Sequence, residues 1–174
     1  LRSLFVGFET FSPENLKSSN KNQNLKRNYE KAVNRLHSLG IMINGSFVFG
    51  LDYDDKDVFK RTVEWGVKNA ITTSTYHILT PYPGTRLFKR MEDKGRIITR
   101  NWDLYDTRHV VYKTRNMTAD EIEQGYNWAY KEFYKWKNIF RASGNHEIDK
   151  HKLKHFFYTA GWKKFEPFWN FIIK

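Results

Sequence analysis

A chain of 174 residues can bury one well-formed hydrophobic core and is too short to expect two full domains. It has no cysteine, which excludes a disulfide framework and thiolate metal ligands of its own, and no apolar run approaches the ~20 residues of a membrane span. Its formal net charge of +11 favours encounter with polyanions; the first residues lack the basic and apolar regions of a signal peptide, so a cytoplasmic setting is expected.

In chain order, residues 4–8 form a short apolar run interrupted by Gly7 and predict a buried strand. The segment "SPENLKSSNKNQN" reads as a polar loop. Leu25, Tyr29, Ala32 and Leu36 then recur at helical spacing with Val33 beside them, and Gly40 supplies a stop. Residues 43–49 predict a second strand, and "DYDDKD" offers acids suited to capping a helix. Phe59, Val63, Gly66 and Ala70 mark the buried stripe of that helix. A third strand over 74–79 leads into "TPYPGTRLFKRMEDKG", where Pro81, Pro83 and Gly84 force a turn and Leu87, Phe88 and Met91 predict a short helix.

Three strand–helix units in succession predict parallel strands with helical crossovers, that is, an α/β fold. Three such strands leave an edge open, so the chain is expected to be the second half of something larger. An irregular strand is predicted near His109 to Tyr112. Thr118 to Glu121 forms a capping box opening a long helix whose apolar face is Ile122, Tyr126, Ala129, Phe133, Trp136 and Phe140. A basic, aromatic tail closes the chain.

Three stretches, "LFVGFETFSPENLKSSNKNQN", "INGSFVFGLDYDD" and "STYHILTPYPGTRLFKRMEDKGRI", in that order, resemble the second half of a radical S-adenosylmethionine (SAM) catalytic domain. The likeness is closest to the subfamily with an N-terminal cobalamin-binding domain. It implies a partial (β/α) barrel fragment, strands four to six of the barrel, over residues 1–115, with a helical C-terminal extension over 116–174. It further implies SAM, a [4Fe-4S] cluster held by a C-x3-C-x2-C loop in the parent, and cobalamin as a further cofactor. That loop is absent from this sequence. The fragment alone is therefore expected to be inactive, with no cofactor bound.

Position by position, the resemblance places Glu9 and Thr10 at the end of strand four, toward the SAM ribose or methionyl part. On strand five, Ser46, Val48 and Gly50 fall on the family's G-x-I-x-G pattern and would wall the adenine. Serine replaces the first glycine and Tyr53 the acid, whose role Asp52 or Asp54 would take. Leu79, Thr80 and Pro81 would border the adenine edge. No catalytic residue and no metal ligand is assigned.

His146, His151 and His155 lie close in sequence, but without a convergent carboxylate they are read as solvated histidines, and His37 and His77 as packing or surface residues. Trp162, Phe165, Trp169 and Ile172 could share a face beside lysines, as an interfacial helix would; Pro167 is expected to break it. Basic residues interleaved with aromatics keep an alternative function in view, a non-catalytic module for RNA or an anionic membrane surface. Expected partners are the missing N-terminal half and SAM, with nucleic acid or membrane less favoured; the open sheet edge is a route to self-association.

Overall fold

A computed structural model describes residues 2–18 and 28–172, with side chains as far as Lys163. Strands β1 (Ser3–Glu9), β2 (Met42–Phe49) and β3 (Thr73–Ile78) form one parallel sheet in the order β1-β2-β3. Helices α1 (Pro13–Ser18) and α2 (Tyr29–Ser38) follow β1, and α3 (Val58–Lys68) follows β2. Beyond β3 come α4 (Arg86–Asp93), α5 (Ala119–Phe133), α6 (Trp136–Gly144) and α7 (Asp149–Ile172). The fold is α/β, and its three strands are consistent with part of a barrel.

One face of the sheet holds the core. Phe8, Phe47 and Tyr76 form a row across the three strands, with ring centroids 5.4 and 5.8 Å apart, and Trp65 of α3 meets Phe8 edge-on at 5.0 Å. Such arrangements add to the large area each ring removes from water. Helices α3 and α5 approach closely through reciprocal ring-on-glycine contacts. Phe59 of α3 lies over Gly125 of α5, and Phe133 of α5 over Gly66 of α3; a Cβ on Gly125 would stand 2.2 Å from the Phe59 ring. Gly125→Ala should therefore cost on the order of 1–3 kcal/mol in urea denaturation, since the ring must move from a filled site.

The two sheet edges differ. On β3, the Tyr134 hydroxyl accepts from the Ser74 N–H and donates to the Ser74 carbonyl, both at 3.0 Å. The Tyr130 hydroxyl does the same at Tyr76, at 3.1 and 3.3 Å. Two phenols, Tyr130 of α5 and Tyr134 at its C-cap, thus occupy backbone positions that a fourth strand would use. On β1, the described residues supply no backbone partner other than β2.

Several expectations change. The loop after β1 contains α1, and Leu25 lies outside the described residues. Asp57 is the N-cap of α3 but makes no side-chain cap bond; Asp55 takes the Asp57 N–H at 3.0 Å and pairs with Arg61 instead. The irregular strand reduces to one antiparallel bridge, Ile97 to Tyr112. The long helix divides, because Lys135 is extended between α5 and α6. The break turns Trp136 and Phe140 away from the buried face that Ile122, Tyr126, Ala129 and Phe133 share. The capping box of Thr118 and Glu121 forms as expected. Helix α7 continues through Pro167. An internal proline costs about 3 kcal/mol and one hydrogen bond, which bends or weakens a long helix without having to end it. Among the described residues no helix is long and apolar enough to cross a membrane.

Of the three histidines read as solvated, His155 is buried and His146 and His151 are part-buried. His37 of α2 meets His146 with ring centroids 4.6 Å apart, and His146 Nε2 lies 2.9 Å from His155 Nδ1. His155 is only 1% exposed. Nearby, the Lys154 ammonium donates to the Gly40 carbonyl at 2.9 Å and the Thr159 hydroxyl to the Thr72 carbonyl at 2.7 Å. Gly40 lies two residues before β2 and Thr72 immediately before β3, so α7 lies at the end of the sheet where the strands begin. No group of His, Asp and Glu among the described residues is arranged to hold a metal ion.

Candidate functional site

Strand side chains alternate, so the sheet has a second face. In register across the three strands it carries Phe5, Asn44 and Thr73, then Gly7, Ser46 and Thr75, then Val48 beside His77. Its apolar members, Phe5 and Val48, belong to neither buried apolar cluster. The Asn44 Oδ1 is buried without a hydrogen-bond partner. A small, polar face of parallel strands, exposed at Phe5 and Gly7 and part-exposed at Asn44, Val48, Thr75 and His77, is the type of surface that receives a ligand near the strands' C-terminal ends.

Glu9 stands at the C-terminal end of this face. The β1–β2 register shifts between Gly7 and Glu9, and Glu9 has φ 65°, a left-handed conformation that non-glycine residues rarely adopt. The shift folds its side chain back over the chain: a Cβ on Gly7 would lie 2.9 Å from Glu9 Oε1. Gly7 is thus the gap in which the carboxylate sits. Burial lowers the basicity of His77, and the negative charge of Glu9 acts in the opposite direction. The His77 Nδ1 lies 3.3 Å from the Thr107 hydroxyl.

The structure brings Glu9, Ser46 and Val48 to one face of the sheet. Gly50 stands just past it with φ 86°, where a Cβ would meet the Tyr112 hydroxyl at 2.8 Å. Glycine is required there by backbone conformation and by Tyr112, whose hydroxyl donates to the Gly50 carbonyl. Gly50→Ala should cost about 2 kcal/mol, read as a lowered denaturation midpoint, from left-handed strain and displacement of Tyr112.

The acids after β2 have structural partners. Asp52 accepts two bonds from Arg96, at 2.6 and 3.1 Å, and faces Arg115 at 3.3 Å. Burial opposes its charge, but the arginines hold its carboxyl below the usual range. Asp54 is buried, accepting from the Asn15 side-chain amide at 2.7 Å and the Leu51 N–H at 3.0 Å; burial pushes it up to about 6. Asn15 in turn accepts from the Tyr53 N–H at 3.0 Å. Together these bonds fix the loop that follows β2. Thr10 and Thr80 are buried, their hydroxyls engaged with the Ser12 N–H and the Ile78 carbonyl. Leu79 packs in the second apolar cluster and Pro81 is buried beside it in sequence.

Sequence reasoning did not select Asn44, Thr75 or His77. The signal was available in the strand pattern: the alternation that pairs Ser46 with Val48 also selects Asn44, and parallel register carries it to Thr75 and His77.

No family model matches the chain. It is similar to bacteriochlorophyllide d C-12(1)-methyltransferase of Chlorobaculum tepidum, with 35% identity over 136 residues, covering 78% of this chain and 29% of that protein. It is also similar to bacteriochlorophyllide d C-8(2)-methyltransferase of the same organism, with 28% identity over 137 residues, 78% of this chain and 30% of that protein. Hopanoid C-2 methylase of Rhodopseudomonas palustris shares 28% identity over 96 residues, 55% of this chain and 18% of that protein. The chain spans less than a third of the length of these curated relatives, each of which is named for methyl transfer.

Proposed function

We propose that this chain is the C-terminal part of a radical SAM catalytic barrel whose parent transfers methyl groups, with the polar sheet face forming one wall of the SAM pocket. The observation that carries the reading is the pairing of that face with relatives named for methyl transfer. The edge asymmetry supports it as well. With β3 closed by tyrosines, the preceding strands of the barrel would add beside β1.

The donor set fits SAM in part. Ser46 and Val48 offer a small flat wall for the adenine, and Glu9 offers an acceptor for ribose hydroxyls or a negative charge for the amino group. His77, Thr75 and Asn44 extend the same face with further polar atoms. The [4Fe-4S] cluster finds no thiolate among these residues, because the chain contains no cysteine. Its ligands would come from the N-terminal half. The parent would use cobalamin as a further cofactor. When bound, SAM would supply the methyl or radical chemistry; the residues described here would bind and orient it.

The test begins with the coding sequence upstream, which should encode C-x3-C-x2-C. In a protein carrying that region, Ser46→Trp should weaken SAM binding at least tenfold in equilibrium dialysis, because the indole would occupy the adenine wall. Because Ser46 is only 7% exposed, the unfolding midpoint of S46W is measured alongside, and binding is read under conditions where the variant remains folded. An upstream region without the cysteines, or unchanged SAM affinity in S46W, would overturn the assignment.

A further inference from the structure

Helices α6 and α7 carry a group of exposed aromatic and aliphatic side chains outside the candidate site. Phe140 is 60% exposed and Trp136 50%, one turn apart on α6; Leu153 and Phe157, also one turn apart on α7, are 61% and 69% exposed. The two helices join into one patch through Phe156, which stacks on Phe140 at 5.1 Å and lies 6.3 Å from Trp136. Single exposed apolar side chains are ordinary on a protein surface, but a contiguous aromatic patch marks an interaction site.

Charge identifies the occupant. Residues 135–163 contain seven lysines and arginines against two acids. Lys137, Arg141 and Lys150 are exposed, and the Lys163 ammonium lies 5.8 Å from the Trp136 ring centroid. A protein partner would set an aromatic core within a rim of mixed charge, and single-stranded RNA would stack its bases on separated rings along a basic groove. Aromatic and aliphatic side chains spread over two helices, with cations around them, match the interfacial region of an anionic bilayer, where rings sit at headgroup depth and lysines meet phosphates.

The patch is also placed to remain available. Helix α7 crosses the end of the sheet where the strands begin, and α6 packs on α3 and α7. The open edge runs along β1, and Glu9 stands at the opposite end of the sheet. Further strands added beside β1 would leave α6 and α7 uncovered.

We infer that the α6–α7 face docks this chain on an anionic lipid surface, with Trp136, Phe140, Leu153 and Phe157 entering the headgroup region and the surrounding lysines and arginines meeting lipid phosphates. This attachment is independent of SAM binding and is peripheral rather than membrane-spanning.

The test is flotation of the full chain with vesicles of phosphatidylcholine containing 30% phosphatidylglycerol, against phosphatidylcholine alone. Binding should require the anionic lipid and weaken about tenfold between low and high salt. The double variant F140S/F157S should bind at least tenfold less tightly, with an unchanged denaturation midpoint because both side chains are exposed. Three outcomes would overturn the inference: no flotation with the anionic vesicles, equal flotation of the double variant, or retention of an RNA oligonucleotide at concentrations where no lipid binding occurs. Concentration-dependent dimerisation that is lost in F140S/F157S, without vesicle binding, would assign the patch to a second copy and would also overturn it.

Discussion

Lowering the pH from 7 to 4.5 should destabilise this protein by about 3 kcal/mol, a substantial part of the stability of a domain this size. The cause is the histidine cluster that joins α7 to α2. Burial and neighbouring imidazoles lower His37 and His146 to about 4 and His155 to about 3. Each is neutral in the folded chain, whereas in the unfolded chain each takes a proton near pH 6.5. Their contribution is therefore complete above pH 6.5 and is lost as pH falls toward 4. The other basic groups facing the cluster are His151 and Lys154, and none of the causes acting on the three rings is a carboxylate. The expected loss is well below the sum for three independent groups, since the first proton already loosens the cluster and two of the rings are only part-buried. Asp54, raised to about 6, acts in the opposite direction over the same window, but it is one group against three. Urea denaturation at the two pH values measures the change, and His155→Leu should flatten it. A midpoint that does not move with pH, or a His155→Leu protein that keeps the full slope, would refute the explanation.

Tyr134→Phe should cost about 2–3 kcal/mol, with Tyr130→Phe somewhat less. Removing the Tyr134 hydroxyl leaves both the N–H and the carbonyl of buried Ser74 without their partner. Such a loss exceeds the worth of an ordinary hydrogen bond, because desolvated donor and acceptor both remain. Tyr158→Phe is the matched control, since that ring is exposed and should change stability by less than about 0.5 kcal/mol. A second signature distinguishes the edge role from simple packing. Amide exchange at Ser74 and Tyr76 should accelerate in the two variants while the β1–β2 ladder stays protected. Equal exchange across the sheet would indicate global destabilisation instead.

Much of this arrangement was legible in the sequence. The three strands appear within one residue of their expected bounds, because apolar runs punctuated by glycine and proline leave little room for another assignment. Thr118 and Glu121 announced their capping box through side-chain chemistry that acts locally. What sequence could not specify was set by tertiary contacts. The periodicity running from Ile122 to Phe140 is continuous, yet an extended Lys135 divides it and separates a buried stripe from an exposed one. His37 is far in the chain from His146 and His155, and only the docking of α7 makes them neighbours. Of the site, Ser46 and Val48 could be placed on one face from alternation alone. The position of the Glu9 carboxylate depends on a register shift that has no sequence signal.

The unequal edges of the sheet also govern how copies of the chain could associate. Because phenols close the β3 side, a second molecule cannot add its β1 there, and head-to-tail growth into a filament is blocked. Among the described residues only β1 against β1 remains, an isologous contact about a two-fold axis that uses the outer edge of both copies at once. Any assembly built through the sheet must therefore stop at a pair, and a preceding strand of the same polypeptide would compete with that pair for the same hydrogen bonds.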